Sequence, residues 1–480
     1  MRHLLCAGML LCFASGALAQ KDDLNASIDA RGDTTWKIAR QIWEWAEPGY
    51  QEKKSSALLA DVLEKAGFTV ERGIARMPTA FTATFGKGAP VIAILGEYDA
   101  LPELAQSADP FRQKLKEGNG YGHGCGHHLF GAASASACIA LKEQMEKGKI
   151  KGTLRFYGCP AEEGGGAKAF MVRDGYFKDV DICLHWHPGA RNIAGEGSSL
   201  ARMAVKFRFE GKAAHAAGAP ELGRSALDAV QLTCHAAEML REHTPEGTRI
   251  HHVITHGGGG APNVVPETAE VYFYIRHPKG DVVTKLYPRL LKCAEAGALA
   301  TETKLEVKYE GGIMELLPND ALAQITRANL TKLNDLAFDD EETKFALRMQ
   351  ETFDEKTPLE VIRQVHNSPI GPGRGSTDVG DVSWVVPTNG FSTVCFVPGS
   401  AGHSWQNVAA SGTTIGRKGM QVAAKTLAAT AWDICQDPKI IETARAEHKR
   451  QLNGRTYQSM MGKEQPPPLE YRGKVTAVER

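Results

Sequence analysis

Between residues 118 and 128 the chain reads Gly118-Asn119-Gly120-Tyr121-Gly122-His123-Gly124-Cys125-Gly126-His127-His128. Further on it reads Pro160-Ala161-Glu162-Glu163-Gly164-Gly165. A thiol and three imidazoles thus stand on one glycine-loosened loop and two adjacent carboxylates on another. Thiolate, imidazole and carboxylate together are the ligand set of zinc and of similar first-row metals. A carboxylate beside one that ligates metal is a common source of a general base for water. These residue types predict metal-dependent hydrolysis.

Strands and helices must bring the two loops together. The apolar run 91–96 ends at Glu97-Tyr98-Asp99, as a buried strand would, and 153–158 and 180–185 read as further strands. They alternate with helical patterns at 36–66, broken at Pro48-Gly49, and at 129–145. This order predicts an α/β fold: a mostly parallel-sheet catalytic domain with helices on both faces. Ligands of such sheets collect at the carboxyl ends of the strands. Asp99, Glu162 with Glu163, and His187 are all expected just past a strand end, on one rim. Cys125 lies ahead of a helix whose positive end would face its thiolate. His185 and His187 alternate onto one side of their strand, so only one need be a ligand. His403, in Gly402-His403-Ser404-Trp405, is expected on a turn.

From about residue 201 the pattern changes to strand, helix, strand, strand, helix, strand, a ferredoxin-like α+β arrangement that reads as an inserted domain. The expected division is 1–19 leader, 20–198 first part of the catalytic domain, 199–313 inserted domain and 314–480 second part with a tail. Residues 334–373 are charged and predict a long loop over the active face. The last strand is expected at 392–396, a helix at 415–434, and an arm or frayed tail at 465–480.

The first residues predict export. Met1-Arg2-His3 is basic, 4–13 is apolar but too short for a membrane span, and Ala17-Leu18-Ala19 precedes Gln20 like a cleavage signal. The protein is therefore expected to be periplasmic or secreted, with no membrane partner once the leader is removed. Lysine plus arginine equals aspartate plus glutamate at 56 each. With no basic run, nucleic acid is not an expected partner. The cysteines beyond the leader, Cys125, Cys138, Cys159, Cys183, Cys234, Cys293, Cys395 and Cys435, lack a scaffold spacing. Most of them read as small buried apolar residues.

These residues carry a resemblance. Gly96-Glu97-Tyr98-Asp99-Ala100-Leu101-Pro102, the Gly-His-Gly-Cys-Gly-His-His loop, Tyr157 to Gly165, Trp186-His187-Pro188 and Ala213-Ala214-His215-Ala216-Ala217 are one part of it. Pro262-Asn263-Val264-Val265-Pro266, Ser376 to Trp384 and His403-Ser404-Trp405-Gln406 complete it. In these motifs the chain resembles the aminoacylase and carboxypeptidase-type dinuclear metallopeptidases, in their amidohydrolase branch, and is most similar there to the aminobenzoyl-glutamate hydrolases. The resemblance implies Cys125, His127, Glu163, His187 and His403 as ligands of two divalent ions, with Cys125 bridging. Manganese or zinc is implied, with cobalt compatible. Glu162 is implied as the general base that takes a proton from water and passes it to the leaving amine. Asp99 is implied as the carboxylate supporting the site. Glu97 stands where much of the wider family has a histidine, and is not counted as a ligand.

The inserted domain resembles a lid and dimerisation domain. It implies that His215 reaches the partner's active site to stabilise the oxyanion and that Asn263 and Arg276 hold the substrate's free carboxylate. Implied substrates are N-acyl or N-aroyl amino acids, aminobenzoyl-glutamate first, or short dipeptides; implied partners are a second copy of the chain and a second, different subunit. The His256 to Gly260 run resembles an esterase oxyanion loop, but no Gly-x-Ser-x-Gly elbow accompanies it. A cysteine hydrolase using Cys125 leaves the carboxylate pair unexplained. The alternative from another class is an exported, catalytically silent dimer that binds peptides or acyl amino acids.

Overall fold

The computed structural model of the chain describes residues 21–473 apart from 116, 368–370 and 372. The expected leader, 1–19, lies outside these residues, as does the end of the tail. The larger sheet comprises β1 (Thr69–Arg72), β2 (Phe81–Lys87), β3 (Val91–Glu97), β4 (Gly152–Cys159), β5 (Ile182–Gly189), β6 (Asn192–Ile193), β11 (Val365–His366) and β12 (Thr388–Val394). Their order across the sheet is β1-β2-β4-β3-β5-β12-β6-β11. The four central strands β4, β3, β5 and β12 run parallel, and β2 joins β4 antiparallel. Ile92, Ala93, Ile94 and Leu95 are all buried, which explains why β3 reads as a continuous apolar run rather than an alternating one. Glu97 and Cys159 pair at the ends of β3 and β4, so the turns that follow leave the sheet side by side.

The helix His127–Glu146 packs on β3, β4 and β5 and against the helix Thr414–Gln436, which covers β5 and β12. It is buried nearly all round, as its alanines at 132, 133, 135, 137 and 140 allow. Gly131 sets its height over the sheet: a Cβ there would stand 2.7 Å from the Glu97 carbonyl oxygen. The N-terminus of this helix, with Cys125 and His127, is thereby pressed to the carboxyl end of β3.

Three expectations need correction. Strand β5 continues through Gly189, because His187, Pro188 and Gly189 still pair with Ser392, Thr393 and Val394. His187 therefore lies within the strand, not beyond it. The partner strand β12 accordingly ends at Val394 rather than at 396. Residues 334–373 are not one long loop: they hold the helix Asp340–Gln350, the turn Leu359–Arg363 and β11. Ala346 and Met349 face inward there, so the charges that read as loop are the solvent face of an amphipathic helix, started by an Asp339–Glu342 capping box.

A second, antiparallel sheet contains β7 (Ala201–Glu210), β8 (Arg249–His256), β9 (Thr268–His277) and β10 (Lys304–Ile313) in the order β10-β7-β9-β8. The helices Ala226–Arg241 and Gly280–Thr301 pack on it. Ala269, Val271, Phe273 and Ile275 of β9 are buried in the apolar cluster these elements share. The alternate residues Tyr272, Tyr274 and Arg276 occupy the opposite face, where they meet Arg202 and Lys206 of β7.

Candidate active site

A cleft of about 610 Å³ opens at the carboxyl edge of the parallel strands, lined by Cys125, Glu162, Glu163, His187 and His403 of the larger-sheet region and by Arg202, Tyr274 and Arg276 of the second sheet. Gly126 adopts φ 78°, and a Cβ on it would meet Pro188 at 2.8 Å and Phe396 at 3.1 Å. Only glycine lets the chain turn there so that Cys125 and His127 flank the same point. His127 Nδ1 lies 2.8 Å from Asp99 Oδ1, which leaves its buried Nε2 3.2 Å from Glu97 Oε2, behind the cleft. The other Asp99 oxygen accepts the Glu163 backbone N–H at 2.9 Å, so one carboxylate ties both loops together. His187 Nδ1 is 2.8 Å from the Pro188 carbonyl oxygen, and its Nε2 is 3.3 Å from Cys125 Sγ. His403 Nε2 stands 3.2 Å from Glu163 Oε1.

Three sets of potential ligand atoms lie within 4.8 Å of one another: Cys125 with His127 and His187, Cys125 with Glu163 and His403, and His127 with Glu162 and Glu163. Cys125 is common to the first two, the position of a residue between two ions. His127 Nε2 and Glu163 Oε1 are buried and lack a well-directed hydrogen bond. Donor atoms of sulfur, nitrogen and oxygen converging at this spacing fit two divalent cations. Ala161 at φ 53° and His403 at φ 54° both sit in the left-handed region, each costing about 1–3 kcal/mol.

The electrostatics follow from crowding. Burial opposes ionisation of Cys125, but the His187 and His127 imidazoles outweigh it and hold the thiol well below its ordinary range. Glu162 is pushed well above the usual carboxylate range by burial and then by Glu97, Glu163 and Asp378. Glu163 is raised to about 7, by burial first and by Cys125 next.

Several supporting residues carry no motif of their own. Fully buried Lys168 bridges Glu97 and Asp378, at 2.6 Å to each, and Asp378 also accepts the Lys168 backbone N–H. Burial alone would lower the Lys168 pKa, yet Asp378 and Glu97 keep it charged, well above its ordinary value. The lysine sits in the apolar run Ala167-Lys168-Ala169-Phe170-Met171, a placement that is itself the available signal. Lys168→Met, which leaves two buried carboxylates without their cation, is expected to destabilise the fold by about 3–5 kcal/mol. A denaturation curve reads this as a lowered midpoint, and an unchanged midpoint would contradict it.

The Glu162-Glu163 turn is held from three further sides. Glu52 accepts the Ala161 N–H at 2.8 Å, Tyr471 Oη donates to the Glu163 carbonyl at 3.0 Å, and Arg472 donates to the same oxygen. Residues 471 and 472, expected in a frayed tail, thus pack onto the site. His185 also lines the cleft, with its Nε2 2.9 Å from Glu196 Oε2.

Arg276 reaches the cleft and donates to Ser376 Oγ at 3.1 Å. His215 and Asn263 do not line this chain's cleft. They meet each other instead: His215 pairs with Val264, and the Ala216 N–H donates to the Asn263 carbonyl at 2.9 Å. Asn263 and His215 are both exposed, on the segments beside the second sheet.

A fold with ligands at the carboxyl edge of a parallel sheet and a thiolate–imidazole–carboxylate cluster in its cleft defines a class of metal-dependent hydrolases of amide bonds. Residues 93–464 match the profile of Peptidase family M20/M25/M40, and the chain belongs to that family. It is 40% identical over 474 residues to a p-aminobenzoyl-glutamate hydrolase subunit of Escherichia coli (strain K12), covering 93% of this chain and 98% of that one. Xaa-Arg dipeptidase of Mus musculus is 29% identical over 442 residues, covering 88% of this chain and 91% of that one. The crystal structure of an aminobenzoyl-glutamate utilization protein from Klebsiella pneumoniae shares the fold, with a TM-score of 0.61 at 18% identity over 86% of this chain and 99% of that one.

Proposed function

We propose that the protein hydrolyses the amide bond of N-acyl or N-aroyl amino acids of the aminobenzoyl-glutamate kind, or of short dipeptides. Two divalent ions, manganese or zinc with cobalt also compatible, would be held by Cys125, His127, Glu163, His187 and His403. The observation that carries this reading is the convergence of those five side chains with Glu162 at the floor of one cleft that Arg276 also lines. When bound, the ions supply Lewis acidity toward water and the scissile carbonyl.

The chain's own residues do the rest. Glu162 takes the proton of the attacking water and delivers it to the departing amine, keeping one proton in local circulation. Asp99 fixes the His127 tautomer and the Glu163 backbone together. Arg276 holds the free carboxylate of the leaving amino acid with a planar pair of donors. His215 and Asn263 act from a second copy of the chain across a dimer made by the inserted domain. The relative from Escherichia coli is named as one subunit of a hydrolase, which supports a different subunit as a further partner. The leader supports export, and the exported protein is expected to begin at Gln20 by mass.

Product release from a panel of N-aroyl, N-acyl and dipeptide substrates, followed by mass spectrometry on metal-loaded protein, tests the reading. Release of a free amino acid, lost on chelation, supports it; normal metal content with no release from any substrate contradicts it. The dimer has its own test. His215→Ala alone is expected to lower kcat by about 10²–10³. Mixing it with Glu162→Gln under exchange of protomers restores about a quarter of the wild-type activity, because one site of each mixed dimer regains both residues. No recovery on mixing would place His215 outside the partner's site.

A further inference from the structure

On the helix-free face of the second sheet, Arg202 of β7 stands directly opposite Arg276 of β9. Directly paired residues of an antiparallel ladder have Cα atoms about 5 Å apart, and like charges placed so repel. Both guanidinium groups also lie over the Tyr274 ring, at 4.8 Å for Arg202 and 5.5 Å for Arg276. Arg202 is only 6% exposed, yet both arginines line the cleft. Neither pairs with an acidic side chain among the described residues, and Arg276 Nε is buried with no hydrogen-bond partner. Glu196, which also lines the cleft, places its Oε2 2.9 Å from His185 Nε2 and forms no ion pair with either arginine. Lys206, two rungs along the same face, shows the usual arrangement, with Glu310 at 3.6 Å.

A buried cation beside a half-buried one, with no acidic partner for either, is costly, and part of that cost is recovered when anions enter. The same cleft is lined by Glu162, beside which the departing amine would sit, so the carboxylates of the leaving amino acid share one cleft with both arginines. We propose that Arg202 is a specificity-determining residue: it takes a second, side-chain carboxylate of the leaving amino acid while Arg276 takes the first. The preferred leaving group is then a dicarboxylic amino acid, glutamate or aspartate, and a basic one is repelled. This rests on the amidohydrolase reading and goes beyond it by assigning a residue to the side chain of the leaving group.

The test compares N-aroyl-glutamate with N-aroyl-glutamine, which differ by one charge at nearly constant shape. The wild-type holoenzyme is expected to favour the glutamate compound about a hundredfold in kcat/KM. Arg202→Met should bring that ratio to within a few-fold of unity, and Arg202→Lys should keep part of it. Binding of the same two compounds to metal-loaded Glu162→Gln protein, with and without Arg202→Met, reads the subsite without turnover. A wild type that treats both compounds alike, or an Arg202→Met variant that folds and keeps the preference, overturns the proposal. Release of other amino acids by the same wild-type protein would leave the amidohydrolase reading standing, so the two failures are distinguishable.

Discussion

Glu162→Gln is expected to bind both metals and to lose about 10³–10⁴-fold in kcat. Glu162 is half-buried in the cleft, on the same turn as Glu163, and within ligand distance of His127 and Glu163. Two roles are open to a carboxylate there, ligand or base, and the substitution separates them. Glutamine keeps the shape but cannot accept the water proton, so a base is lost and a metal site built from Glu163, His127 and Cys125 remains. Burial and the nearby Glu97, Glu163 and Asp378 carboxylates already favour protonation of Glu162, which suits a group that must give the proton back to an amine. Metal analysis beside turnover decides the matter: full activity would remove Glu162 from the mechanism, and loss of metal would make it a ligand.

Cys125→Ala is expected to bind metal poorly and to abolish turnover. Cys125 belongs to both ligand sets that reach His187 and His403, so losing its sulfur removes a donor from each at once. Metal concentrations that reload chelated wild type should fail to reload the variant. The measurement is metal per chain after desalting, together with turnover. A variant that holds two ions and turns over normally would contradict the assignment. A Cys125 acting as nucleophile would be recognised differently, by wild-type activity that survives chelation.

Much of this site was legible in the chain because the chemistry is concentrated in short glycine-flanked motifs. Glycines on both sides of Cys125 and beside Glu163 add no side chain of their own, so the reactive residues stood out against them. The apolar runs of β3 and β4 end abruptly at Glu97 and Cys159, which located one rim of the sheet. The position of His187 was harder to read. Alternation tells which side a residue faces, but not where pairing stops, and β5 runs on for as long as β12 lies beside it.

Lys168 was only half legible, for a different reason. Its place in the apolar run 167–171 signals burial, but only the packed structure brings Glu97 and Asp378 to it from distant segments. Tyr471 and Arg472 carry no periodicity that would announce a contact with Glu163. The pairing of Arg202 with Arg276 depends on strand register, which neither strand's pattern contains alone. His215 and Asn263 are close in space through the bridge between His215 and Val264, yet sit away from this chain's cleft.

The central claim is that the five converging side chains hold two ions that hydrolysis requires. Its most direct test is a titration of chelator-stripped protein with manganese or zinc while glutamate release from N-aroyl-glutamate is followed. Stripped protein is expected to release nothing, and release to rise with added metal until it levels off at two equivalents per chain. Full release before any metal is added would contradict it.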